Sequence, residues 1–474
     1  MTFVSVQFLI LLGFTLSAYA FLPARGRTWL LLIASYVFYA YWNPWYAILI
    51  ALSTLIDYGA AHGIARSDDT RRRRALLWTS IAANLGLLGY FKYTNFGLHI
   101  LHGLLGDLAS PLPTALDILL PVGISFYTFQ SMSYTIDVYR RRIAPEPHFP
   151  TFALYVAFFP QLVAGPIERA GDLLPQLRAP HRRDDALFES GVRLLLWGFA
   201  KKLIVADRLL AVAQPMMANP GAGSSLDLLF ATLALFTMLY FDFSAYTDMA
   251  RGTAALFGVR LSENFHLPMS ATSIAEFWRG WHITLSSWVR DYVYIPLGGG
   301  QPRGVVHQAA ISLFTMGLVG LWHGANWTYV VWGLQHGIFM VLYQLYFLYI
   351  RRRWRRAAWI NSRWFAALGW TTTMLLHALG MVWFFSPDLD HALTCLGRFF
   401  SMDGWLAGSA AVTWRGFPVL FGLWFVHAIM GRFYPLDTAQ RWSPVVRGGC
   451  YAAMFFLIVA LGVPHGAPFV YFQF

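Results

Sequence analysis

The chain has 474 residues, 57% of them hydrophobic and only 12% charged, with a formal net charge of +12. A soluble chain would carry about twice that charged fraction, and several continuous apolar runs of spanning length define a polytopic helical membrane protein; continuous rather than alternating runs exclude a β-barrel. The positive balance sits in arginine clusters at the ends of apolar runs, as positive-inside topology requires, so no nucleic-acid partner is implied.

Met1 to Ala20 is apolar and ends in Ala18-Tyr19-Ala20, similar to a signal-peptidase site. No basic residue precedes the run, and Arg25 and Arg27 follow it, an order that predicts a retained first helix with its far end in the cytosol. Helices are expected over Phe8–Leu22, Trp29–Tyr41 and Trp45–His62, the last two joined by the turn signal Asn43-Pro44. Arg71 to Arg74 marks the cytosol, Leu76–Tyr90 goes out, and Leu116–Val138 returns to Arg140-Arg141-Arg142. Both clusters then fall on one side, with the N-terminus outside.

From Thr151 to Gly304 the pattern loosens. Phe152–Gly165 is short for a crossing and carries Pro160, and Gly191–Val212 is interrupted by Lys201 and Lys202. Leu226–Tyr240 is a better span. Leu261–Pro296 is amphipathic and rich in Trp, Arg, Asp and His, which predicts surface-lying or re-entrant helices, since irregular backbone survives at depth only when shielded by protein. Gly298 to Gly304 lacks the Lys-Ser/Thr of a phosphate-binding P-loop and reads as a loop, with contact to a cofactor's phosphates left open.

The apolar region from Ile311 to Ile350 is, at 1.5 Å per residue, roughly twice what one crossing needs. It must break or turn, and the Gly324-Ala325-Asn326 step is the natural place. A break leaves backbone groups that hydrocarbon tolerates only against protein or a water-filled cavity. His323 thus stands at membrane depth beside a cavity. One reading is a satisfied bundle histidine among the chain's 14 histidines; the other is function, which ionisable groups within membrane spans signal by default. An imidazole there is suited to general-base work. His282, within Glu276–Tyr292, reads either as part of an interfacial helix or as a polar partner for His323 or its substrate. On an unbroken helix His336 would lie roughly 220° around from His323, a bystander's position. No HExxH or other metal-ligand spacing occurs, no metal or bound cofactor is expected, and Cys395 and Cys450 form no CxxC.

Arg351 to Arg356 marks the cytosol again. Phe365–Phe385 exits, Phe417–Met430 returns and Tyr451–Val463 exits, leaving the tail and Cys395 outside and Cys450 near the inner face, so the cysteines should not pair. The sum is about ten to twelve helices in a single domain, residues 1–474, without internal repeats.

Trp322-His323-Gly324-Ala325-Asn326-Trp327, Trp278 to Pro296, Phe159 to Ile167 and Pro121 to Phe126 together resemble the membrane-bound O-acyltransferase (MBOAT) family, within it the alginate O-acetyltransferase branch of bacterial polysaccharide acetylation proteins. The resemblance covers nearly the whole chain, with the motifs in the expected order. It implies an all-α ring of helices around a thinned centre, with funnels from both faces approaching a catalytic histidine at His323. His282 matches a second position, His or Asn across the family. The tail Pro468 to Phe474 is similar to that of a small partner peptide in lipoteichoic-acid D-alanylation, where the tyrosine is proposed to carry the acyl group; Tyr471 would then be the carrier. The other reading of the tail is an exposed aromatic anchor.

The resemblance implies a multi-pass enzyme of the bacterial inner membrane with both termini outside. Acetyl-CoA would be the cytosolic donor, His323 the general base, and His282 a group that positions or polarises the thioester. A periplasmic SGNH-type, serine esterase-like partner would pass acetyl to an exopolysaccharide such as alginate. The alternatives are direct lipid or protein O-acylation and a transporter or flippase with His323 in its pathway; the absence of an inverted repeat stands against transport.

Overall fold

The computed structural model describes residues 1–109, 111–178, 184–401, 405, 411–433, 442–464 and 466–470. Among them helix is the dominant regular structure and no strand occurs, so the fold is all-α. Among the described residues six helices are long and apolar enough to cross a membrane: Pro44–Arg66, Ser225–Leu256, Val305–His323, Arg363–Phe385, Ala411–Ile429 and Pro444–Leu461. They differ in what surrounds them. Ser225–Leu256 is 94% buried along its most apolar window, whereas Pro444–Leu461 is 6% buried and shows an apolar surface of the kind that lipid covers. The protein is a polytopic helical membrane protein.

The described residues gather into two compact units. The first comprises Met1–Gly198 and Tyr246–Ser262. Asn43 caps the helix Pro44–Arg66 by accepting from the Trp45 amide, and Pro44 occupies the first turn, where its missing N–H costs nothing. A buried polar knot ties this helix to Thr70–Leu88: Asn84 Nδ2 donates to both carboxylate oxygens of Asp57 at 2.9 Å. Ser131 Oγ donates to Asn84 Oδ1 at 3.3 Å and adds the helix Ile124–Tyr139. Arg73 donates to the Tyr139 carbonyl at 2.7 Å and Arg141 pairs with Asp68 at 3.5 Å. The clusters Arg71–Arg74 and Arg140–Arg142 therefore lie at one end, as the topology count requires.

One expectation changes here. The crossing expected over Leu116–Val138 becomes helical only at Ile124, because Pro121 and the left-handed Gly123 (φ 79°) set the helix start. Phe152–Gly165, short for a crossing, makes none: there is a short helix, Phe149–Ala157, and then irregular chain in which Phe158 to Gly165 are all buried. Pro160 and Pro166 prevent the helix from continuing.

The second unit comprises Phe199–Ala245 and Glu263–Val470. Its long apolar region breaks where the sequence expects, into Val305–His323 and Trp327–Tyr346. The two helices pack backbone to backbone. A methyl group on Gly320 would strike the Tyr329 carbonyl, and one on Gly333 would strike the Met316 carbonyl. Small residues permit such close approach, and close approach holds helices together in lipid. The segment Leu261–Pro296 makes no crossing: it forms the short helices Ile274–Gly280 and Ile283–Val289 and then wide, π-type turns over Arg290–Gly299. Cys395 is buried, Cys450 is exposed, and both are free thiols.

Candidate active site

His323 is the last residue of Val305–His323, and Gly324 leaves the helix in an extended conformation. Asn326 fixes the far side of the corner: its Oδ1 accepts from the Thr328 amide at 3.0 Å and its Nδ2 donates to the Pro387 carbonyl at 2.7 Å. The imidazole is 4% exposed. The rings of Trp322 and Trp332 stand 4.9 Å from it, nearly perpendicular, and Phe384 stands at 5.5 Å.

His282 sits between the two short helices in a left-handed conformation (φ 42°) that a bulky residue adopts only under constraint. Gly280 permits the bend, since a methyl group there would meet the His266 carbonyl. Asn264, fully buried, supplies the constraint. Its backbone carbonyl accepts from the Ile283 amide at 2.9 Å. Its Oδ1 accepts from the Thr284 amide at 3.2 Å and from Thr284 Oγ1 at 2.9 Å, and lies 3.0 Å from His282 Nδ1. A backbone amide can only donate, so the shared atom is oxygen and His282 Nδ1 donates to it. The proton is thereby fixed on Nδ1 and the lone pair on Nε2. Burial pushes the imidazole's pKa down to about 3, so the ring is neutral at any physiological pH.

Trp322 lies against both imidazoles, 4.9 Å from His323 and 6.0 Å from His282. The two histidines singled out in the sequence thus share one aromatic partition. Phe243 completes the other side of His282, with ring centroids 4.7 Å apart at 85°.

His336 does not lie on the face that an unbroken helix would give it. The turn after His323 folds its helix back, and its ring stands 4.7 Å from Trp332, the same indole that faces His323. His377 follows at 4.9 Å, its Nδ1 donating to the Thr373 carbonyl at 2.8 Å. A methyl group on Gly380 would come within 3.1 Å of His336 Nε2 and 3.2 Å of Trp332 Nε1. The missing side chain leaves both polar atoms room. Asn264, Trp332 and His377 belong to no motif read in the sequence: Asn264 and His377 act through partners on other elements, and Trp332 meets His323 only because the chain turns back after it.

Tyr471 lies outside the described residues. The residues just before it are not an exposed anchor. Phe469 is 3% and Val470 1% exposed, and the Phe469 ring packs 5.6 Å from Phe243, the ring that also contacts His282.

The site is thus two buried imidazoles held against one indole within a polytopic membrane helix bundle. Residues 140–382 match the family pattern of MBOAT, the membrane-bound O-acyltransferase family, and the chain belongs to that family. It is 41% identical over 413 residues to the "Probable alginate O-acetylase AlgI" of Pseudomonas aeruginosa, covering 85% of this chain and 76% of that one. To the protein of the same name in Azotobacter vinelandii it is 40% identical over 457 residues, 93% of this chain and 88% of that one. The "Peptidoglycan O-acetyltransferase" of Helicobacter pylori is 34% identical over 421 residues, 82% of this chain and 77% of the other. The protein is a membrane O-acyltransferase of the alginate O-acetylase-like branch.

Proposed function

We propose that the protein takes acetyl from acetyl-CoA on the cytosolic side of the bacterial inner membrane and passes it across for O-acetylation of an exopolysaccharide such as alginate. The acetylase names of the relatives support the acyl group, and the acceptor is taken from the same names. The observation that carries the reading is the path of the tail: Phe469 packs on Phe243, and Phe243 packs on His282, so the chain that leads into Tyr471 runs to the imidazole pair.

In the first step His323 takes the proton of the attacking hydroxyl, which is that of Tyr471. The oxygen adds to the thioester carbonyl, the C–S bond breaks, and the leaving thiolate recovers the proton from His323. A phenol with an ordinary pKa near 10 needs such a base at neutral pH. His282 serves as acceptor. Its Nε2 carries a lone pair, so it can hold a hydroxyl by accepting its proton, and it is not built to polarise a carbonyl, which takes a donor. A periplasmic SGNH-type partner then moves acetyl from the tyrosyl ester to a polysaccharide hydroxyl.

The test is purified protein with acetyl-CoA labelled in the acetyl group. Label should appear on the chain, disappear in Tyr471→Phe, and disappear in His323→Ala with the protein still folded by size exclusion and thermal melting. Full transfer in His323→Ala would remove the histidine from the mechanism. Label found on lipid, with none on the chain, would replace the carrier scheme by direct acylation.

A further inference from the structure

The end of the last helix and the tail are held at successive points along one segment. Arg208 Nη2 donates to the Leu461 carbonyl at 2.6 Å, and the Val463 amide donates to the Leu203 carbonyl at 3.1 Å. Leu203 lies in wide, π-type turns over Lys201–Ala206. Such turns take carbonyls out of the regular ladder and recur at functional sites. Further on, the Ala467 amide lies against the Asp207 carboxylate. The Val470 amide then donates to Asp242 Oδ2 at 3.0 Å.

The acceptors belong to a buried ionic triad. Lys202 Nζ stands 2.8 Å from Asp207 Oδ1 and 2.7 Å from Asp242 Oδ1, with every side chain at most 5% exposed. Taking such charges out of water is costly, and replacing them by apolar groups of similar volume is often neutral or stabilising. Stability alone therefore does not account for them. What they supply is a fixed acceptor for backbone amides, independent of tail side chains, and Asp242 is followed directly by Phe243, which bridges Phe469 and His282.

We propose that Lys202, Asp207 and Asp242 form a latch that seats the segment Ala467–Val470 and so holds Phe469 against Phe243, on the His282 side of the active site. Asp207 and Asp242 are positioning residues: their carboxylates touch the tail backbone, not the reacting atoms, and Lys202 holds the two carboxylates together. The proposal rests on the reading of the tail as acyl carrier only for its consequence in turnover; the latch itself is tested without it.

Val470→Pro removes the backbone N–H that Asp242 accepts and leaves the three side chains of the triad unsubstituted, whereas Val470→Ala keeps it. Hydrogen exchange of the tail amides in the full-length protein should be about tenfold or more faster in Val470→Pro than in Val470→Ala, the loss expected for a hydrogen bond to a charged acceptor. Asp242→Asn should loosen the tail in the same way; where that buried substitution prevents folding, the proline variant decides. Labelled-acetyl transfer in Val470→Pro should show a lower kcat with an unchanged KM for acetyl-CoA. Tail amides as protected in Val470→Pro as in Val470→Ala would overturn the latch. A loosened tail together with full polymer acetylation in Tyr471→Phe would keep the latch and remove the carrier.

Discussion

Asn264 decides what His282 can do. Its single carbonyl oxygen gathers the Thr284 amide, the Thr284 hydroxyl and His282 Nδ1, and so sets the tautomer of a ring that burial keeps neutral down to about pH 3. Asn264→Asp keeps an acceptor at that place and adds a negative charge beside Nδ1–H. An opposite charge favours the protonated ring, so its pKa rises. Activity that needs the Nε2 lone pair is then lost as pH falls through the raised value. The acid limb of kcat should move to higher pH in Asn264→Asp, measured from about pH 4 upward to about pH 8, between the buried ring's value and that of an ordinary histidine. An acid limb identical to that of the parent would mean that His282 does not act through its lone pair. Asn264→Ala should lower kcat about tenfold or more, as expected where an orienting partner fixes a ring for proton transfer.

At the scale of elements, the hairpin that presents His323 depends on glycine at its crossing point. Gly320→Ala would drive a methyl group into the Tyr329 carbonyl, which belongs to the facing helix and cannot swing away as a side chain would. The cost should be about 1–3 kcal/mol, the range for overpacking, read as a lower Tm. Gly317→Ala, whose nearest neighbour would be the Leu334 side chain at 3.4 Å, should leave Tm nearly unchanged. Equal melting of the two variants would mean that the helices are not locked at this crossing. The break in this hairpin was legible in the sequence because it is written locally, as a glycine after the last helical residue and an asparagine cap before the next helix. The short helices around His282 were legible for the same reason, as a polar, aromatic stretch with no clean crossing. The start of the helix at Ile124 was not, because apolar residues before Pro121 read as span although the proline and Gly123 govern the backbone. The seating of the tail left no pattern at all: its amide finds an acceptor 228 residues away, and a backbone N–H has no residue identity to read.

At the scale of the whole molecule the open quantity is sidedness, and one unit gives it a sharp form. The Arg73–Tyr139 and Arg141–Asp68 contacts hold the loop before Arg71 and the turn at Arg140 together, so both must face the same compartment. On the orientation expected from the arginine excess, that compartment is the cytosol. With Cys395 and Cys450 replaced by alanine, single cysteines at Asp68 and Arg142, whose side chains are 103% and 58% exposed, report on that end. A membrane-impermeant maleimide added to spheroplasts should label neither until the membrane is permeabilised. On the same orientation the helix Arg363–Phe385 leaves the cytosol, and Asp390→Cys beyond it should be labelled from outside at once. The pairing and the orientation fail separately. If Asp68→Cys and Arg142→Cys behaved differently from each other, the fold of the first unit would be wrong; if both were labelled in intact spheroplasts, the fold would stand and the donor side would have to be reversed. Acetyl-CoA is confined to the cytosol, so that reversal would leave His323 drawing on a compartment that holds no such donor, and the transfer would need another source of acetyl.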